Sequence, residues 1–249
     1  MSTTSIFKIT LATLIIITII VLMPVKSSSP ITGDEKEIWS HQNNTIAKAQ
    51  KNSKKFSGIE IDVVFDKNTN SLNVRHDIEA APSDIELVDI INVTDSSACK
   101  YWIDLKNLSP QNLENVLDQF ASISQKHQTF KKRAIIESHN PKALSTLAKK
   151  GYYTSYWVPH YNDSWLSYIK FLLRTKPYLL TNRFSALSAN TSMLPFLDLF
   201  YPNLNYHIWT HDFENDSLIE ETRKIFTHPK IKVLLVDYSD PTILLNKND

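Results

Sequence analysis

The chain is predicted to be an α/β protein folded as a (β/α)8, or TIM, barrel, and three observations carry that prediction. Short alternating or continuously apolar runs recur along its 249 residues, beginning near residues 38, 58, 101, 133, 152, 179, 205 and 231. Stretches of helical period lie between most of them, the alternation expected of a parallel sheet with crossover helices. Eight such units in about 210 residues suit a closed barrel. An open doubly wound sheet is the competing architecture, but the chain has no Gly-x-Gly-x-x-Gly and no P-loop pattern to seat a nucleotide on one.

Residues 38–41 read as the first strand, ending on His41, and residues 44–55 as a helix with Ala47 and Ala49 among lysines. Residues 58–66 alternate, so that Ile59, Ile61 and Val63 share one face and Glu60 and Asp62 the other, the two acids about 7 Å apart at a strand's rise. A polar turn and a short run at 72–74 then deliver Arg75, His76 and Asp77. Residues 82–92 read as a helix. Residues 101–106 alternate again, with Ile103 and Leu105 on one face and Trp102, Asp104 and Lys106 on the other. Ser109-Pro110 starts a helix whose apolar stripe is Leu113, Val116, Leu117 and Phe120. A strand at 133–138, a helix at 141–150 closed by Gly151, and a strand at 152–158 come next. A helix near 164–174, an irregular strand at 178–184, a helix at 191–200, an extended run at 205–210 and a helix at 217–226 lead to a last strand at 231–237, rich in Val and Leu and so buried on both faces.

The length suits one domain, residues 34–249, after an N-terminal extension. A net charge of +1 with no dense Lys/Arg block argues against a nucleic-acid partner. Cys99 is the single cysteine, which excludes an intrachain disulfide and a cysteine-built metal cluster. Lys8 precedes an apolar run at 9–25, and Lys26 and three serines follow it. Residues 1–30 therefore read as a signal peptide or, since no Ala-x-Ala pattern and no lipid-attachment cysteine follow, as an N-terminal signal anchor that contacts the membrane. The domain is expected outside the cytoplasm, whether periplasmic, secreted or membrane-anchored. The sequence does not specify an oligomeric state.

In a barrel the charged faces of the second and third strands turn inward. Glu60, Asp62 and Asp104 bring three negative charges there and Lys106 returns one positive charge. A net minus two in a desolvated site costs several kcal/mol per unpaired ion, which a divalent cation cancels. All-oxygen ligands favour Mg²⁺ or Ca²⁺ over zinc. His41 and His76 both fall at the C-terminal mouth of the strands, where one imidazole can take a proton and the other give one. Lys106 and the cation would neutralise a phosphoryl group held between them. Asn44, Glu137, His139 and Trp209 are further candidates for substrate contact, and His211, Tyr156 and Asp237 extend that set. His127, His160, His207 and His228 are expected to be structural or on the surface.

The set His41-x-x-Asn44, Gly58-x-Glu60-x-Asp62, His76 and Asp104-x-Lys106 resembles the PLC-like phosphodiesterase superfamily, which includes glycerophosphodiester phosphodiesterases and sphingomyelinase D toxins. The likeness is strongest over residues 38–107, and Trp209-Thr210 and Val236-Asp237-Tyr238 extend it toward the end of the chain. It implies a divalent cation on Glu60, Asp62 and Asp104, acid/base roles for His41 and His76, and a phosphate or supporting contact for Lys106. The substrate it implies is a small-molecule or lipid phosphodiester, a glycerophosphodiester or a lysophospholipid-like molecule. Two departures stand out. Gln42 follows His41 where glycerophosphodiester phosphodiesterases carry an arginine, and the toxins' cysteine-stapled loop is absent. His-x-x-Asn and Asp-x-Lys are closer to the sphingomyelinase D branch and to a menorin-like branch. The alternative expectation is a noncatalytic extracytoplasmic binding protein on the same barrel; a polysaccharide-active barrel would leave the paired histidines without a role.

Overall fold

The computed structural model describes residues 35–96, 98–159, 165–181, 184–210 and 216–245, with residues 29–33 and the isolated positions 18, 19, 23 and 25. Among the described residues nine strands form one sheet: β1 (Glu37–Ser40), β2 (Gly58–Asp66), β3 (Ser71–Val74), β4 (Lys100–Leu105), β5 (Ala134–Ser138), β6 (Tyr153–Trp157), β7 (Ala186–Asn190), β8 (Tyr206–Trp209) and β9 (Ile231–Val236). All but β3 run parallel, and β1 pairs with both β2 and β9, which closes an eight-stranded barrel. β3 folds back antiparallel on β2 beyond the barrel, so Val74 lies opposite Val63 and the chain re-enters the mouth at His76. The helices are α1 (Ile46–Asn52), α2 (Leu87–Thr94), α3 (Leu113–Lys126), α4 (Phe130–Arg133), α5 (Pro141–Lys149), α6 (Trp165–Leu180), α7 (Leu194–Phe200), α8 (Asp216–Phe226) and α9 (Thr242–Leu245).

The period of two in the sequence becomes a division between two cores. Ile59, Ile61, Val63, Ile103, Leu105 and Ile136 face outward into the large core shared with the helices, whose inner stripes supply Ile90, Val116, Phe120 and Leu144. Trp39, Trp102, Ile135, Val233 and Leu235 face inward and form a second, smaller core inside the barrel. At its N-terminal end Lys100 pairs with Glu37, which also accepts a hydrogen bond from the Trp39 indole at 2.8 Å. Gly58 lies opposite Trp39, and a Cβ there would come within 2.3 Å of the indole ring. A glycine is required because the ring occupies the place of a side chain. Gly151 closes α5 with φ +82, the left-handed conformation that lets the chain turn directly into β6.

One expected strand is misplaced. Residues 178–180 belong to α6, and the seventh strand is Ala186–Asn190. The aromatic and leucine content around Tyr178 and Phe184 mimics a strand, but Leu179 and Phe184 serve the outer core, with Tyr178 stacked on Phe184. The true strand was obscured by its small inward residues, Ala186, Ser188 and Asn190. Small side chains suit this wall because the strands on either side of it carry large inward rings, Trp157 beside Ser188 on one and His207 and Trp209 beside Ser188 and Asn190 on the other. Among the described residues no helix is long and apolar enough to cross a membrane. The apolar run at 9–25 falls almost wholly outside them, although Val25 is buried in the outer core.

Candidate active site

The strand ends open into a cavity of about 1000 Å³ lined by His41, Glu60, His76, Asp104, Lys106 and Glu137, with an aromatic side made by Trp102, Trp157 and Trp209. Parallel pairing sets Asp62 beside Asp104 and Asp104 beside Glu137, so adjacent strands deliver three carboxylates at one level of the barrel. Glu60, Asp62 and Asp104 each offer an oxygen within 4.8 Å of the others. The Lys106 ammonium lies between two of them, 2.6 Å from Asp62 and 2.5 Å from Asp104.

The electrostatics follow from burial and charge count. Burial, with Asp62 and Asp104 beside it, pushes the Glu60 carboxyl well above its ordinary range. Burial also works against charge on Asp62, but Lys106 and a hydrogen bond from Asn44 outweigh it and hold that carboxyl low. Asp104 is raised by burial, with Lys106 opposing, and burial raises Glu137 strongly, reinforced by Asp104. For Lys106 the two aspartates outweigh burial and keep it charged. The residues therefore suit a divalent cation: three oxygen donors converge, and their repulsion is only partly met by one ammonium.

Each histidine is oriented by a carboxylate. His41 Nδ1 lies 3.0 Å from Asp237, leaving Nε2 turned toward Glu60, 3.8 Å away. His76 Nδ1 lies 3.1 Å from Asp62. Such a partner fixes ring orientation and tautomer, and the other ring nitrogen is then available for proton transfer. Between His41 and Asn44 the chain makes a strained turn: Gln42 adopts φ 53, a left-handed conformation that costs a non-glycine residue of order 1 kcal/mol. Its backbone N–H thereby donates to Glu60 at 2.6 Å. Asn43 is buried beneath, bonded to the backbone carbonyls of Ser40 and Glu60, and anchors the turn.

Nearly all the residues expected from sequence come to this mouth. His41, His76, Lys106, Glu60 and Asp104 line the cavity and Asp62 is bonded to two of them. Glu137 lies on its floor, while His139 and Trp209 lie against Trp157, His139 edge-on at 6.4 Å and Trp209 stacked at 6.3 Å. Asn44, expected among substrate contacts, instead exchanges two hydrogen bonds with Asp62, at 2.6 and 2.9 Å, and so holds that carboxylate in place. Tyr156 points away into the outer core against Phe171 and Phe184. His207 is fully buried inside the barrel; His127 and His228 pair with Asp95 and Asp198 away from the cavity. His160 and His211 lie outside the described residues. Trp157 and Asn190, which also line the cavity, were not singled out in the sequence; the strand-end position of Trp157 was the available signal for it.

No family model and no curated protein matches the sequence. Solved structures share the fold. A glycerophosphodiester phosphodiesterase from Parabacteroides distasonis superposes with a TM-score of 0.61 at 16% identity, over 82% of this chain and 93% of that one. A phosphodiesterase from Oleispira antarctica, solved with its product sn-glycerol-3-phosphate, gives 0.56 at 13% identity, over 82% and 94%.

Proposed function

We propose that the chain is a phosphodiester hydrolase that works with a divalent cation, Mg²⁺ or Ca²⁺. The observation that carries the reading is the convergence of Glu60, Asp62 and Asp104 on one point between two carboxylate-oriented histidines. Those three carboxylates would hold the cation, which when bound supplies Lewis-acid stabilisation of charge on a phosphoryl oxygen. Lys106 adds a fixed positive charge beside the same point. Of His41 and His76, one accepts the proton of the attacking hydroxyl, from water or a neighbouring substrate group, and the other protonates the leaving oxygen. Asp237 and Asp62 position the two rings for these transfers.

The substrate class that fits is a glycerophosphodiester or a lysophospholipid-like diester. The product-bound Oleispira phosphodiesterase supports this choice, as does the likeness in fold to glycerophosphodiester phosphodiesterases. The apolar run at 9–25 further suggests a domain held at, or exported across, a membrane and acting outside the cytoplasm.

The test is release of alcohol from a panel of glycerol- and choline-bearing phosphodiesters by the purified chain with Mg²⁺ or Ca²⁺. Turnover that EDTA and His41→Ala both abolish is the expected result. Ligand binding without turnover of any diester would overturn it in favour of a binding protein, the reading to which Gln42 beside His41 would then point.

A further inference from the structure

We infer that the floor of the cavity is a hydroxyl-recognition subsite, in which Glu137, Trp102 and Ser188 read a free hydroxyl on a polyol moiety of the diester. The inference deepens the proposed function and rests on it for the identity of the molecule that enters. Glu137 is 3% exposed, Trp102 1% and Ser188 fully buried. The Glu137 and Trp102 side chains both line the cavity. Among the described residues, Glu137 Oε2, Trp102 Nε1 and Ser188 Oγ each lack a hydrogen-bond partner. The indole N–H and the hydroxyl both lie close to the Glu137 carboxyl, whose charge burial opposes, yet neither meets it in hydrogen-bonding geometry. Buried polar groups in folded proteins are nearly always satisfied, so three unmet ones grouped around one carboxyl are a donor and acceptor set aimed at something else.

The composition of the set selects the ligand chemistry. Trp102 can only donate, Glu137 offers an acceptor oxygen, and Ser188 does either. A phosphoryl oxygen only accepts and would leave the acceptor oxygen of the Glu137 carboxyl unmet; an ammonium only donates and would leave the indole N–H unmet. A hydroxyl donates and accepts through one atom and serves both. The subsite is separate in kind from the cation site, whose converging oxygens come from Glu60, Asp62 and Asp104. Beside it, the stacked indoles of Trp157 and Trp209, 6.3 Å apart and 8° from parallel, present apolar surface suited to the C–H groups of a short polyol.

The experiment compares paired ligands that differ by hydroxyl groups alone, on the full chain with Mg²⁺. In turnover the pair is glycerophosphocholine and propylphosphocholine; in calorimetric binding it is glycerol 3-phosphate and propyl phosphate. The wild-type chain is expected to favour the hydroxyl-bearing member of each pair by about tenfold to a hundredfold. Glu137→Met, which keeps the volume but removes the polar atoms, should bring the ratio close to one. Glu137→Gln, which keeps an acceptor and a donor, should preserve it. A wild-type chain indifferent to the hydroxyls, or a Glu137→Met chain that keeps the preference, overturns the subsite and leaves only a buried water for these groups to hold. Loss of Mg²⁺ binding in Glu137→Met, measured with the cation alone, overturns it in favour of a fourth cation ligand. Absence of turnover on both diesters strikes the proposed hydrolase, while the binding pair still decides the subsite.

Discussion

Adding Mg²⁺ or Ca²⁺ is expected to raise the melting temperature of the chain, and Asp62→Asn to remove most of that rise. Glu60, Asp62 and Asp104 bring three negative charges to the site, Lys106 returns one, and a divalent cation balances the remaining two. Without it, burial and the neighbouring aspartates push Glu60 well above its ordinary 4.5, so that the carboxyl relieves the repulsion by holding a proton. Cation binding should therefore release protons and tighten as pH rises through the raised titration of Glu60. At a cation concentration about 100 times the dissociation constant, linkage stabilises the folded state by about 2.7 kcal/mol. With an unfolding entropy of about 2.1 cal/mol/K per residue over about 215 residues, that is a shift of about 6 °C. Asp62→Asn removes one ligand charge, one of the two ion partners of Lys106 and the carboxylate that orients His76. A loss of about 30-fold in affinity would leave about 1 kcal/mol, or about 2 °C. Scanning calorimetry with cation and with EDTA reads the shift, and isothermal titration reads the affinity. Equal shifts and equal isotherms in the two chains would refute the assignment of Asp62 to the cation.

Two further outcomes test the barrel itself. Gly58→Ala places a Cβ 2.3, 2.5 and 2.7 Å from three atoms of Trp39, which is fully buried, bonded to Glu37 and packed edge-on against Trp102 at 6.5 Å. The ring has nowhere to move, so a loss of about 3 kcal/mol is expected, and an unchanged denaturant midpoint would show that the interior yields. Burial lowers His207 from its ordinary 6.5 to about 3, so the folded state excludes a proton that the unfolded chain accepts. The stability from keeping it neutral is complete above 6.5 and lost as pH falls toward the folded value, by about 2 kcal/mol between about pH 6.5 and pH 5. In urea titrations with EDTA, His207→Asn should lack this portion of the pH dependence; identical slopes in the two chains would contradict it.

Much of the barrel was legible because period-two alternation is a property of the local backbone. Glu60 and Asp62 against Ile59 and Ile61, or Asp104 and Lys106 against Ile103 and Leu105, separate by face wherever a strand forms, and an apolar outer face can only be covered by helices. The same locality misled at residues 178–184, where aromatic content suggested a strand, and hid β7, whose inward residues are small.

The sequence by itself determined which residue types reach the mouth: two histidines at strand ends, three inward carboxylates and one inward lysine. Tertiary structure alone decided how they are paired. Asp237 meets His41 across 196 residues because β1 and β9 are neighbours in the closed barrel. Asn44 reaches Asp62, and Gln42 turns left-handed to donate to Glu60, because β1 closes on β2. The unmet polar groups around Glu137 likewise come from strands far apart in sequence. Alternation says which way a side chain points; register and closure say what it meets there.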